Sequence, residues 1–152
     1  MQPQSIADNI VITTLREISD ITGLISDAKK SAAVATRVGE FTIKIGRPED
    51  AVSTLSGGNQ QRVVLAKWLA TSPKVLILDC PTVGVDVGAR DGIYKIIRGL
   101  AESGIAILMI SDEVTEVYFN SDRILHMAGG RIVAEYDPRR ISITDLERAV
   151  YA

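Results

Sequence analysis

Two short runs without a polar residue, 75–78 (VLIL) and 105–110 (IAILMI), constrain the fold of this chain more than any other feature. A strand apolar on both faces has to be covered on both, as a central parallel strand is when helices flank its sheet. Parallel neighbours need a crossover of a dozen or more residues, and 88–103 supplies one of helical period that Gly104 closes. From Asn59 onward the order reads helix, strand, helix, strand, helix, hairpin, helix. The expected class is therefore α/β with parallel strands, a C-terminal hairpin and an N-terminal helical subdomain.

The other elements follow from period and punctuation. Ile6, Ile10, Thr14 and Ile18 trace one helical face, with Ser5 and Asp8 placed to cap its start. A second helix is expected over 27–39, stopped by Gly39. FTIKI (41–45) reads as a short strand or an extended linker before Pro48. After Gly58 a strong helix should turn Val63, Val64, Trp68 and Leu69 inward, with Pro73 just past its end. Ser111 and Asp112 open a short helix to about Asn120, a hairpin turns around 128–130, and a last helix begins near Ser142. Two buried strands and a hairpin make a thin sheet. Unpaired strand edges and an uncovered face are then expected, and with them self-association, strand exchange or rearrangement of the N-terminal segment.

Composition narrows the classes. At 152 residues the chain has room for one core. A net charge of −2 with no basic stripe argues against a nucleic-acid grip. The single cysteine cannot form an internal disulfide, the opening MQPQSIADN is polar, and no apolar run approaches 18 residues. A cytoplasmic setting is expected, with any membrane contact made through a partner.

Two stretches carry candidate chemistry. Ser56-Gly57-Gly58, ahead of a strong helix, offers a hydroxyl, two residues without side chains and free helix N-terminal amides, a combination that binds phosphate. The plain alternative is a serine N-cap on a flexible turn. The strand 75–78 runs into Asp79, and a carboxylate beyond a strand's C-terminal end can hold Mg²⁺ or simply cap the next turn.

Taken together, LSGGNQQRVVLAKWLATSPKVLILD followed by PTVGVDVGAR closely resembles the ATP-binding subunit of ABC transporters. More narrowly, it resembles the C-terminal half of the tandem ATPase subunit of ribose/galactose/xylose-type sugar importers, and the likeness extends through ILMIS and SDRILHMAGGRIV. The resemblance implies a helical subdomain leading to the signature loop over 1–58, and the distal part of the ATPase core over 59–152. It implies that Ser56, Gly57, Gly58 and Gln60 belong to a signature motif facing the γ-phosphate of ATP on an opposing half. Asp79 would be the Mg²⁺-side carboxylate of the Walker B strand, and Asp86 would close a D-loop crossing between halves. It further implies permease subunits as partners and a position at the inner face of the plasma membrane.

The pattern departs from the family at two positions and in one larger respect. Cys80 occupies the place of the catalytic glutamate, and Asp112 that of the switch histidine. A thiol of ordinary pKa is neutral at pH 7, so Cys80 cannot act as general base, and the loss costs about 10²–10⁴ in rate at the site it serves. A thiol nucleophile would need a base, and the only histidine, His126, lies on a late strand. No G-x-x-x-x-G-K-S/T occurs, so the loop that grips the β- and γ-phosphates is missing. Gln2 and Gln4 lie too close to the first helix to replace the family's glutamine loop. The chain is expected to work with a missing N-terminal ATPase portion or a second half. The other possibility is a noncatalytic module that keeps the dimer surface.

Overall fold

The computed structural model describes residues 4–151, so Gln2 lies outside the described part. The elements are α1 (Ile6–Val11), α2 (Leu15–Ile18), α3 (Asp27–Glu40), a 3-10 turn at Val52–Thr54, α4 (Gly57–Leu69), β1 (Val75–Asp79), α5 (Val87–Glu102), β2 (Ala106–Ile110), α6 (Val114–Asn120), β3 (Ile124–Ala128), β4 (Arg131–Tyr136) and α7 (Ile143–Tyr151). They fall into two compact units. One takes the chain up to Lys74 together with Thr82–Ile105, and the other takes Val75–Pro81 and the chain from Ala106 onward.

The first unit is helical, with α1 on α3 and α4, and α4 on α5. Ile6, Ile10, Val34, Val63, Leu65 and Ile93 are among its buried side chains. Ser5 caps α1 as its sequence suggests, accepting from the Asp8 amide, while its own hydroxyl donates to the Asp8 carboxylate. Lys30 meets the same carboxylate at 2.7 Å. That ammonium, and then the Ser5 hydroxyl, hold Asp8 below the usual carboxylate range. The single face expected through Ile18 is broken instead into two short helices. Thr13 donates its hydroxyl to the Lys67 carbonyl and Thr14 donates to Val11, so both β-branched residues bond outside the helical ladder. Trp68 does not point inward. It is 51% exposed, with the Lys67 ammonium over its ring, and Leu65 and Ala66 fill the buried face alongside Val63 and Leu69.

Gly39 does not stop α3 either. The helix continues through Glu40, and the left-handed residue that ends it is Thr42, at φ 49°. The Ile43 amide reaches back to the Val38 carbonyl, which satisfies one of the helix's last acceptors. The segment 41–45 forms no strand: 41–42 is a turn and 43–45 runs on as a loop.

In the second unit β1 and β2 pair in parallel, Val75 opposite Ala106 through Asp79 opposite Ile110. Burial alternates along β1. Leu76 and Leu78 are inside, whereas Val75, Ile77, Leu108 and Ile110 are all exposed. Coverage on both faces, expected from the sequence, is present on one. The hairpin β3–β4 turns on Gly129 and Gly130, both at positive φ, as a two-residue connection with matching twist requires. His126 lies in β3 opposite Ala134. Leu146 of α7 packs into a small core with Val114 and Ile124.

A β-branched residue at φ 49° is strained, and Thr42→Gly removes the clash while keeping the bonds of the Thr42 amide to the Gly39 carbonyl and of the Ile43 amide to the Val38 carbonyl. The strain of about 1–2 kcal/mol outweighs glycine's greater freedom in the unfolded chain, so denaturant unfolding of Thr42→Gly is expected to show a net gain of up to about 1 kcal/mol.

Candidate functional site

The glycine turn belongs to the first unit. Ser56 is the N-cap of α4 and is exposed, Gly57 is half-buried and Gly58 is buried. The Ser56 carbonyl accepts the Gln60 amide, but its hydroxyl caps no amide and instead accepts from Asn59 Nδ2 at 3.1 Å. Ser56 thus stands at the N-cap, as the plain reading has it, but makes no side-chain cap bond there. The amides of the first helical turn have no intrahelical acceptor, and the 13-residue α4 adds its dipole to them. Gln60 turns back, donating from Nε2 to the Leu55 carbonyl at 2.7 Å, which fixes the start of the turn from the other side.

Both glycines are required by what lies beneath them. A side chain on Gly57 would run into the carbonyl oxygen of Gly84, and one on Gly58 would come within 2.8 Å of the Ala89 methyl. The loop 83–86 is thus packed directly under the turn. It is shaped by Gly84 at φ 75° and by the Val85 amide bonding to the Thr82 carbonyl. Asp86, expected at a crossing loop, is the N-cap of α5 and accepts from the Ala89 amide at 3.0 Å. Val83 and Val87 on either side of it are 69% and 83% exposed.

Asn59 and Arg62 escaped the sequence reading. The Lys44 amide donates to Asn59 Oδ1 at 2.9 Å, and Arg62 Nη1 donates to the Phe41 and Thr42 carbonyls. Arg62 also fills the space left by the missing side chain of Gly92. The one signal in the sequence was their spacing of three, which puts both on one helical face.

The second unit holds the strand-end groups. Asp79 ends β1 and is exposed. Cys80 follows at φ 46°, and its amide bonds to the Ile110 carbonyl at 2.8 Å, carrying the parallel ladder one residue past the strand. Burial pushes its thiol above the ordinary value, helped by the hydrogen bond to Asp79 and by the charges of Asp79, Asp112 and Glu116. The sequence reading assumed an ordinary thiol. The actual surroundings make it a weaker acceptor still. Asp112 is exposed, and its carbonyl accepts from the Tyr151 hydroxyl at 3.2 Å.

In the first unit, the glycine turn suits a phosphate better than a resident metal. The exposed hydroxyl and the side-chain-free turn fit a phosphate oxygen. Among the described residues no three of His, Cys, Asp or Glu converge on a metal position. Asp79 by itself would offer a Mg²⁺ ion one carboxylate.

Residues 1–83 match the family model described as ABC transporter. The chain is 46% identical over 131 residues to ribose import ATP-binding protein RbsA 2 of Streptomyces avermitilis, a match covering 86% of this chain and 26% of that protein. It is also 46% identical over 135 residues to the ribose import ATP-binding protein RbsA of Bacillus subtilis, covering 89% and 27%. It therefore spans about a quarter of the length of these relatives. Among solved structures it resembles a bacterial ABC transporter cassette in a dimeric structure, with TM-score 0.75, 20% identity, and 93% and 60% coverage. An inward-facing, metal-chelate-type ABC transporter gives TM-score 0.79 at 16% identity, over 99% and 59%.

Two outcomes follow from this geometry. Gly58→Ala is expected to destabilise the chain by about 1–3 kcal/mol in denaturant unfolding, and Ala89→Gly, which vacates the space, to restore most of it. A raised thiol pKa means the folded chain holds that proton more tightly than the unfolded chain does. The contribution is fully present below the ordinary thiol range and is lost as pH rises from there through the raised value of the fold. Iodoacetamide at pH 8.5 should therefore alkylate Cys80 several-fold more slowly in the folded chain than in urea.

Proposed function

The chain belongs to the ABC transporter family, and from that premise we propose that it is the distal part of an ATP-binding subunit of a sugar importer. In this reading it presents its signature turn to the γ-phosphate of ATP gripped by another ATPase portion. The observation that carries it is the seating of that turn: Gly57 and Gly58 lie hard against Gly84 and Ala89, while Ser56 stays exposed with its hydroxyl off the helix amides. A turn built only to start a helix would use that hydroxyl as the cap.

On this reading residues 1–58 form the helical subdomain and 59–152 the distal core, with Ser56, Gly57, Gly58 and Gln60 at the turn. Asp79 stands on the Mg²⁺ side and Asp86 in the loop at the interface between halves, which the exposed Val83 and Val87 also suit. Permease subunits would hold the assembly at the inner face of the membrane. Among the described residues no helix is long and apolar enough to cross a membrane. The exposed face of β1 and β2 supports either cover by the other ATPase portion or self-association of the isolated chain.

A second reading, a noncatalytic module that keeps the interface, is favoured by Cys80 and Asp112 at the catalytic positions. The two separate in one experiment. The chain is combined with a phosphate-loop-bearing ATPase portion from a ribose importer, and Mg-ATP hydrolysis is measured. Alone, the chain should bind Mg-ATP with Kd of roughly 1 mM or weaker, since the gripping loop is elsewhere. In the assembly Ser56→Ala should lower turnover by about 10²–10³-fold, as removal of a transition-state donor does. On this reading the assembly holds two nucleotide sites, the signature turn completing the stronger and residue 80 belonging to the weaker, so Cys80→Glu should change turnover little. Unchanged hydrolysis on adding the chain would favour the noncatalytic reading, and a large gain from Cys80→Glu would refute the assignment of sites.

A further inference from the structure

Asn59 stands between the exposed serine and the loop that leads down from α3. The Lys44 N–H donates to Asn59 Oδ1 at 2.9 Å. A backbone N–H can only donate, so the carboxamide oxygen must face Lys44 and the NH₂ group must face away. There it donates to Ser56 Oγ at 3.1 Å. A hydroxyl whose oxygen accepts in this way keeps its single proton for another acceptor, and Ser56 caps none of the α4 amides. One turn further along, Arg62 clasps the Phe41 and Thr42 carbonyls at 2.8 and 3.2 Å. The loop 41–44 is therefore fastened to one face of α4 at two points, and one of them is shared with Ser56.

We propose that Asn59 is a positioning residue that sets the Ser56 hydroxyl as a hydrogen-bond donor toward phosphate, and that it does so only while the 41–44 loop is seated on α4. The inference rests on the reading of the signature turn given above and adds its control. When the loop lifts, the Lys44 amide leaves, and the carboxamide is free to rotate by half a turn. Its oxygen then accepts the Ser56 proton, and the donor is lost. A movement at the end of the helical subdomain is thereby converted into the presence or absence of one phosphate contact.

Asn59→Asp separates the two bonds, because a carboxylate still accepts from Lys44 but can only accept from Ser56 as well. In the isolated chain, hydrogen exchange followed by NMR should show the Lys44 amide as protected in Asn59→Asp as in the parent. In Asn59→Ala it should exchange about tenfold faster or more. In the two-part assembly, Asn59→Asp should fall to the turnover of Ser56→Ala, about 10²-fold below the parent, with KM for ATP within about threefold. The double variant Ser56→Ala/Asn59→Asp should be no slower than either single one, since both remove the same donor. Additive losses would mean simple charge repulsion of phosphate and would overturn the proposal. So would parent-like turnover of Asn59→Asp, or a Lys44 amide indifferent to Asn59→Ala. If Ser56→Ala itself costs nothing, the signature-turn reading fails and takes this inference with it. If Ser56→Ala is costly and Asn59→Asp is not, only this inference fails.

Discussion

Gly57 approaches the Gly84 carbonyl more closely than a side chain on Gly57 would allow, and the first unit is arranged around that approach. The start of α4 can rest on the 83–86 loop because Gly57 carries no Cβ and because Gly84 adopts a positive φ. From that seat α4 places Leu65 and Ala66 in the core and leaves Ser56 in the open. Asp86 then starts α5 immediately beyond the loop, which brings Ala89 under Gly58. A helix start pressed onto a loop in this manner cannot drift independently of it. Whatever binds at the turn therefore acts on the loop as well.

The strand end in the second unit shows the opposite balance. Cys80 holds a left-handed conformation that costs a non-glycine residue about 1 kcal/mol or more, yet its amide is used in the sheet ladder. The chain is thus turned sharply just after Asp79, and burial, with the carboxylates around it, raises the thiol above its ordinary value. A glutamate there would add a further negative charge to Asp79, Asp112 and Glu116. Cysteine avoids that repulsion.

The features legible in the sequence were those fixed by local chemistry. Gly129-Gly130 declared the hairpin because a tight two-residue turn needs positive φ. Ser5 declared the start of α1, and the two apolar runs declared a parallel pair. The glycine turn and Asp79 were legible as candidates for the same reason. What escaped was decided by distant partners. The break after Val11 depends on the Lys67 carbonyl, 54 residues away from Thr13, and the roles of Asn59 and Arg62 depend on backbone groups of the 41–44 loop. Thr42 took the left-handed position that Gly39 was expected to fill, because the Ile43 amide reaches Val38 only from there. Trp68 was misplaced because the helix phase was set by packing against α1 and α5 rather than by the size of its side chains.

The exposed face of β1 and β2 bears on how such a chain can work. Val75, Ile77, Leu108 and Ile110 each keep roughly half or more of their surface in water, on a sheet of only two strands. Covering them would contribute several kcal/mol at about 25 cal/mol per Å². Native domains are stable by only about 5–15 kcal/mol, so that contribution is a large share of the total. In the proposed assembly the same face runs to Asp79, so cover for the apolar surface would end beside the carboxylate. Binding of the other portion would then stabilise the fold and bring its phosphate-gripping loop to Asp79 in one event, which ties the integrity of this chain to the assembly that could use it.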